Sequence, residues 1–106
     1  MSYKLDFSND ALSRLEDFGR ADAKILKQVF VKILSLRRNP TPQDFKELKN
    51  FHYGKLKGYS VDQGEYRILY AVDEPSKTVK VRQILNRNED YKERGFVQAG
   101  ISAKMS

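Results

Sequence analysis

Gly64-Glu65-Tyr66-Arg67-Ile68-Leu69-Tyr70-Ala71-Val72-Asp73 is the stretch that settles the architecture of this chain. A tight turn at Gly64-Glu65 leads into a run of aromatic and aliphatic residues, the composition of a strand. After a second turn over 73–77, which contains Pro75, residues 79–87 alternate and predict another strand. Each strand carries one arginine that packing does not explain: Arg67 near the start of the first and Arg87 at the end of the second. In an antiparallel hairpin the start of one strand lies beside the end of the next. Both guanidiniums are therefore expected at one end of the sheet, with Tyr91 just beyond. Two permanent cations and a phenol in one place suit a phosphodiester.

Working outward, 58–63 reads as a short strand that the Gly64-Glu65 turn joins to 66–72. Residues 43–57 mix lysines with Leu48, Phe51, Tyr53 and Leu56 without a clean period, and read as a loop running into a strand. Residues 3–7 alternate as a half-buried strand. Ser8, Asn9 or Asp10 then caps a helix bearing Ala11, Leu12, Leu15 and Phe18 at helical spacing, with Gly19 as its end. Asp22 opens a second helix with an apolar stripe of Leu26, Val29, Phe30, Ile33 and Leu34. Arg37 and Arg38 fall in its expected last turn, before Asn39-Pro40-Thr41-Pro42 stops it.

Beyond the hairpin, 91–94 is expected to form one helical turn and 95–106 a loose tail. The order is β-α-α-β-β-β plus a terminal turn. It predicts a single α+β domain over 1–106, with a helical hairpin packed on one face of a small antiparallel sheet. Alternation puts Tyr66, Ile68, Tyr70 and Val72 on one face, and Arg67, Leu69 and Ala71 on the other. Val79, Val81, Gln83, Leu85 and Arg87 are expected to share a face on the next strand. The arginine face is thus partly apolar.

Composition narrows the function. Of 106 residues, 40% are hydrophobic and 32% charged, too apolar for a disordered chain and too polar for a membrane protein. No apolar run approaches the ~20 residues of a span, and the first residues do not read as a signal peptide. The chain has no cysteine, which removes disulfides and thiolate metal sites and makes the cytoplasm the expected compartment. Its net charge of +6 is concentrated in 37–58, which holds six Lys or Arg against two acids. Lys49, Lys55 and Lys57 lie there and are candidate RNA contacts. A solvated loop is the blander explanation of the same charge.

The inventory excludes several mechanisms. One histidine, His52, rules out a two-histidine acid–base pair, and the carboxylates are too scattered for a divalent metal site. Gly58 and Gly64 do not form a phosphate-cradling loop before a helix, and no serine sits on a nucleophile elbow. What remains is cofactor-free chemistry on RNA. There the 2′-hydroxyl is the nucleophile, and the protein positions the phosphate and neutralises developing charge. Arg67 and Arg87 suit that task, with Tyr91 as general acid or base or as a stacking ring. A purely structural reading is equally open: both arginines in salt bridges with Glu65, Glu89 or Asp90, and Tyr91 closing the edge of the core.

Gly58 to Tyr70, preceded by a helical hairpin and an Asn-Pro break, resembles the RelE/ParE toxin superfamily. The ending Ile84-Leu85-Asn86-Arg87-Asn88-Glu89-Asp90-Tyr91 resembles its RelE branch. The resemblance implies a RelE-like fold and a toxin held inactive by a cognate acidic antitoxin in a hetero-oligomer. It further implies a ribosome-dependent endoribonuclease that cuts mRNA in the A site. Carried over, Arg67 matches the arginine on the scissile phosphate, Arg87 the transition-state stabiliser or general acid, and Tyr91 the tyrosine that orients or stacks on substrate. The chain departs from the RelE pattern at Gly58 and Ser60, where basic residues are common; Lys55 and Lys57 lie just upstream. That departure leaves the proton acceptor unassigned. It keeps in view an inactive antitoxin-binding relative; a second alternative, on the same scaffold, is a ParE-like inhibitor that binds DNA gyrase without cleaving anything.

Overall fold

The computed structural model describes residues 2–87. The elements are β1 (Lys4–Phe7), α1 (Asn9–Ala21), α2 (Ala23–Ser35), β2 (Lys46–Tyr53), β3 (Leu56–Gln63), β4 (Tyr66–Asp73) and β5 (Thr78–Asn86). The strands form one mixed sheet in the order β1-β5-β4-β3-β2. β2 to β5 are an antiparallel meander, while β1 joins the outer edge of β5 in parallel. Two helices lie on one face of it. The α+β architecture is the one expected, but the sheet has one more strand than the sequence pattern revealed and is mixed rather than antiparallel, because β1 pairs with β5 in parallel. Tyr91, the terminal helical turn and the tail lie outside the described residues.

The helical hairpin turns on a single residue. Asp22 ends α1, its backbone amide donating to the Phe18 carbonyl at 2.7 Å. The same residue starts α2, its carboxylate accepting from the amides of Lys24 and Ile25. This double role explains why α1 runs past Gly19, the expected end. Gly19 instead lies where α2 passes closely, with Leu26 Cδ2 3.5 Å from where a Cβ would stand. The expected stop of α2 also moves: it ends at Ser35, so Arg37 and Arg38 lie just beyond it. The Arg37 carbonyl accepts from the Tyr3 amide at 2.8 Å and its Nε donates to the Tyr3 carbonyl at 3.1 Å, which ties the helix exit to the start of β1.

Ala11, Leu15 and Phe18 of α1 and Val29 and Ile33 of α2 pack against Val61, Ile68, Tyr70, Val79, Val81 and Ile84 of the sheet. Each fully buried aliphatic side chain here contributes roughly 1.5–3 kcal/mol relative to exposure. The Phe18 and Tyr66 rings meet edge-on, with centroids 4.8 Å apart. Tyr70 is fully buried, and its hydroxyl donates to the Pro40 carbonyl, pinning the loop after α2 to the centre of the sheet.

Two irregularities correct the sequence expectations. The first is in β5. Tyr70 pairs with Val81 but Leu69 pairs with Gln83, so Arg82 is an extra residue and the strand's alternation reverses there. Val79 and Val81 therefore face the helices with Ile84, while Leu85 joins the opposite face; the five residues 79, 81, 83, 85 and 87 do not share one side. Ser8 holds the bulge in place: its amide donates to the Val81 carbonyl at 3.0 Å and its hydroxyl to the Arg82 carbonyl. The second is in β2, where Leu48 pairs with Gly58 but His52 already pairs with Lys57. Asn50 within this bulge has φ 60°. The bulge erases the two-residue period, which is why 43–57 read as a loop running into a strand when it already contains the full strand β2.

Candidate active site

Arg67 and Arg87 come together for the reason the hairpin predicts, and a third residue gathers them. The Gly64-Glu65 turn, with Gly64 at φ 60°, brings Asp62 of β3 directly opposite Arg67 of β4. Cross-strand neighbours project to the same face. Arg67 Nε accordingly donates to Asp62 Oδ1 at 3.0 Å. Arg87 follows β5, where its backbone amide donates to the Glu65 carbonyl at 2.7 Å and its Nη1 reaches the Gly64 carbonyl at 3.4 Å. From there its Nε stands 3.7 Å from the other carboxylate oxygen, Asp62 Oδ2. One carboxylate thus sits between two guanidiniums. The expected ion partners were Glu65, Glu89 and Asp90; Glu65 contributes its backbone instead, and Glu89 and Asp90 lie outside the described residues.

The site is partly wet, with the side chains of Arg67, Asp62 and Arg87 exposed by 21%, 31% and 51%. Its floor is apolar: Leu48, Leu69 and Leu85 form a second small core on the face away from the helices, with Phe51 packed against it. This agrees with the mixed character expected of the arginine face. Cations on an apolar floor fit a polyanion that also presents bases.

The three candidate lysines are not gathered there. Lys55 lies in the turn between β2 and β3, and Lys57 near the start of β3. Lys57 precedes Asp62 by five residues, about 17 Å at the rise of a strand. It also pairs with Glu47 at 3.3 Å. Lys49 lies in the β2 bulge and is exposed. Lys46, by contrast, is the cross-strand partner of Ser60, which is itself opposite Leu69. That row places Lys46 on the arginine face, two strands across from β4 and one same-face position along from Arg67. Arg82 is there too, its guanidinium carbon 5.7 Å from the centre of the Tyr53 ring.

Asp62 and Arg82 were missed, and Lys46, though counted in the basic 37–58 segment, was not singled out as a contact. The register through the two-residue turn was the available signal for Asp62; nothing local announced the bulge that sets Arg82 on this face.

Gly58 also has a structural cause. A Cβ at this position would stand 2.9 Å from the Phe51 carbonyl oxygen in the β2 bulge. No side chain fits without moving backbone, which accounts for a glycine where the RelE-like pattern has a basic residue. Ser60, at the second such position, is 2% exposed.

Two helices covering one face of a five-stranded mixed sheet is the fold of RelE-like toxins. It matches the RelE of a RelE–RelB complex from Pyrococcus horikoshii with TM-score 0.69 at 20% identity, over 85% of this chain and all of that one. The toxin–antitoxin complex RelBE2 of Mycobacterium tuberculosis gives TM-score 0.63 at 26% identity, over 82% of this chain and 100% of that one. A YoeB/ParE toxin from Agrobacterium tumefaciens gives 0.67 at 22% identity, over 78% and 96%. No curated protein sequence matches the chain. The family model described as ParE toxin of type II toxin–antitoxin systems matches residues 5–91. The chain belongs to that family, and so to the toxins of the RelE/ParE superfamily.

Proposed function

We propose that this toxin is a ribosome-dependent endoribonuclease that cuts mRNA in the A site without a metal ion. The observation that supports it is the convergence of Arg67 and Arg87 on one point at the end of the sheet, around the Asp62 carboxylate. A phosphodiester at that point receives two guanidinium forks. The neighbouring 2′-oxygen attacks phosphorus, the bond to the 5′-oxygen breaks, and a 2′,3′-cyclic phosphate and a 5′-hydroxyl result. The arginines neutralise the charge that grows on the non-bridging oxygens, and removal of one such donor typically costs about 3 kcal/mol of transition-state stabilisation. Tyr91 is assigned to orient or stack on the substrate, through the family resemblance alone.

The partner in the resting state is an acidic antitoxin. Complexes of relatives with antitoxins support this, as does the net charge of +6. The ParE family match favours a second reading, in which the same scaffold binds DNA gyrase and the arginines only make contacts. One experiment separates them: inducible expression followed by mapping of mRNA 5′ ends, with wild type beside Arg87→Ala. Cuts within translated codons that vanish in the variant support the nuclease. Intact mRNA with inhibited supercoiling overturns it in favour of the gyrase reading.

A further inference from the structure

Asp62 is an acid where the proposed chemistry calls for cations. It is no bystander: its two oxygens address the two arginines separately, Oδ1 to Arg67 Nε at 3.0 Å and Oδ2 to Arg87 Nε at 3.7 Å. A carboxylate and a phosphodiester present the same feature to guanidinium groups, two anionic oxygens in one plane. We propose that Asp62 is an internal stand-in for the substrate phosphate, seated between Arg67 and Arg87 and displaced when RNA binds. The inference rests on the nuclease reading and adds to it a built-in competitor for the same two cations.

Three observations carry it. The arrangement is fixed by strand register, since Asp62 is the direct cross-strand partner of Arg67 and cannot swing to another part of the sheet. The contacts are unequal: the one to Arg87 is beyond hydrogen-bond length and is held by charge alone, so it yields to a closer anion. Finally, the carboxylate is 31% exposed and Arg87 51%, so an incoming strand has access to both and the displaced carboxylate has water to turn into. The stand-in holds the guanidiniums near the geometry they need while lowering their affinity for any phosphate. Weak, non-productive RNA contacts are thereby discriminated against, and a substrate must be presented in register to win.

The test is binding of a short single-stranded RNA, 2′-O-methylated so that it cannot be cleaved, to the purified full-length toxin. Asp62→Asn keeps the shape and removes the charge, and is expected to tighten binding roughly tenfold, the scale for a single charge at contact distance in a partly wet site. Asp17→Asn, on α1 away from the arginine face, makes the same change in net charge and is expected to tighten binding no more than about twofold. Asp62→Glu retains the charge and is expected to stay near wild type. The gain from Asp62→Asn should vanish in an Arg67→Ala/Arg87→Ala background. No gain, weaker binding, or a gain that survives loss of both arginines overturns the stand-in. If Arg67→Ala/Arg87→Ala leaves wild-type RNA affinity unchanged, the phosphate site itself falls, and this inference with it. Arginine-dependent binding without a gain in Asp62→Asn defeats the stand-in alone.

Discussion

The backbone amide of Arg87 donates to the carbonyl oxygen of Glu65 at 2.7 Å. This single bond carries the pairing of β4 and β5 one residue past the end of β5, so Arg87 is anchored to the turn that also sets Asp62 opposite Arg67. The guanidinium inherits a fixed base. Two arginines twenty residues apart in sequence therefore serve one point in space.

If both forks grip the same phosphate, charge without planarity is insufficient. Arg87→Lys keeps the cation but loses the paired parallel donors. Cleavage of translated mRNA should fall at least about tenfold, and in Arg67→Ala by on the order of a hundredfold. Primer extension on induced cultures measures both, with circular dichroism confirming that the fold is retained.

Lys46 was found only through its pairing with Ser60 on the arginine face. Lys46→Ala should weaken binding of single-stranded RNA and lower the slope of log affinity against log salt by roughly one, the signature of one phosphate contact. Lys57, already paired with Glu47, should show a smaller effect when changed to alanine. Titrations at several salt concentrations separate the two.

Gly58→Ala places a methyl group 2.9 Å from the Phe51 carbonyl oxygen. The neighbour is backbone, so the β2 bulge must move, at a cost of about 1–3 kcal/mol. The midpoint of urea unfolding should drop accordingly.

Ser8→Ala removes a hydroxyl that accepts from the Ala11 amide at 3.0 Å and donates to the Arg82 carbonyl. Loss of the cap alone costs about 1 kcal/mol. Because the same hydroxyl steadies the β5 bulge, amide exchange should also quicken at 82 and 83, a change that a helix cap elsewhere would not produce.

Burial, reinforced by the nearby Asp44 and Tyr59, pushes the Tyr70 hydroxyl well above the ordinary phenol range. Burial does the same to Tyr53 against an opposing pull from Arg82. In the unfolded chain both ionise near pH 10, while the folded protein holds its protons. The stability they provide is full below about pH 10 and is lost above it, by up to about 1.4 kcal/mol per pH unit for each. Tyr70→Phe should flatten that alkaline decline. It should also cost about 1–2 kcal/mol at neutral pH, because the Pro40 carbonyl loses its donor. Urea melts from about pH 8 to about pH 11 test both statements.

Local pattern was enough for the helices, the β3–β4–β5 meander and the meeting of Arg67 with Arg87. Those features depend on neighbours in sequence: caps, apolar period and a two-residue turn whose register propagates along a hairpin. It failed at β2, at the faces of β5 and at the ends of both helices. A bulge in either strand inserts a residue that resets the alternation, and Asp22 outweighed Gly19 as the helix stop through a hydrogen bond that composition does not display.

The two arginines, and the end of the hairpin where they gather, were written in the order of residues. Long-range packing decided the remainder. It is the pairing of β3 with β4 that drops a carboxylate between the two cations, and the bulge in β2 that bars a side chain at Gly58. Such placements depend on how backbones separated in the chain fit together once the sheet is assembled, which no short stretch encodes.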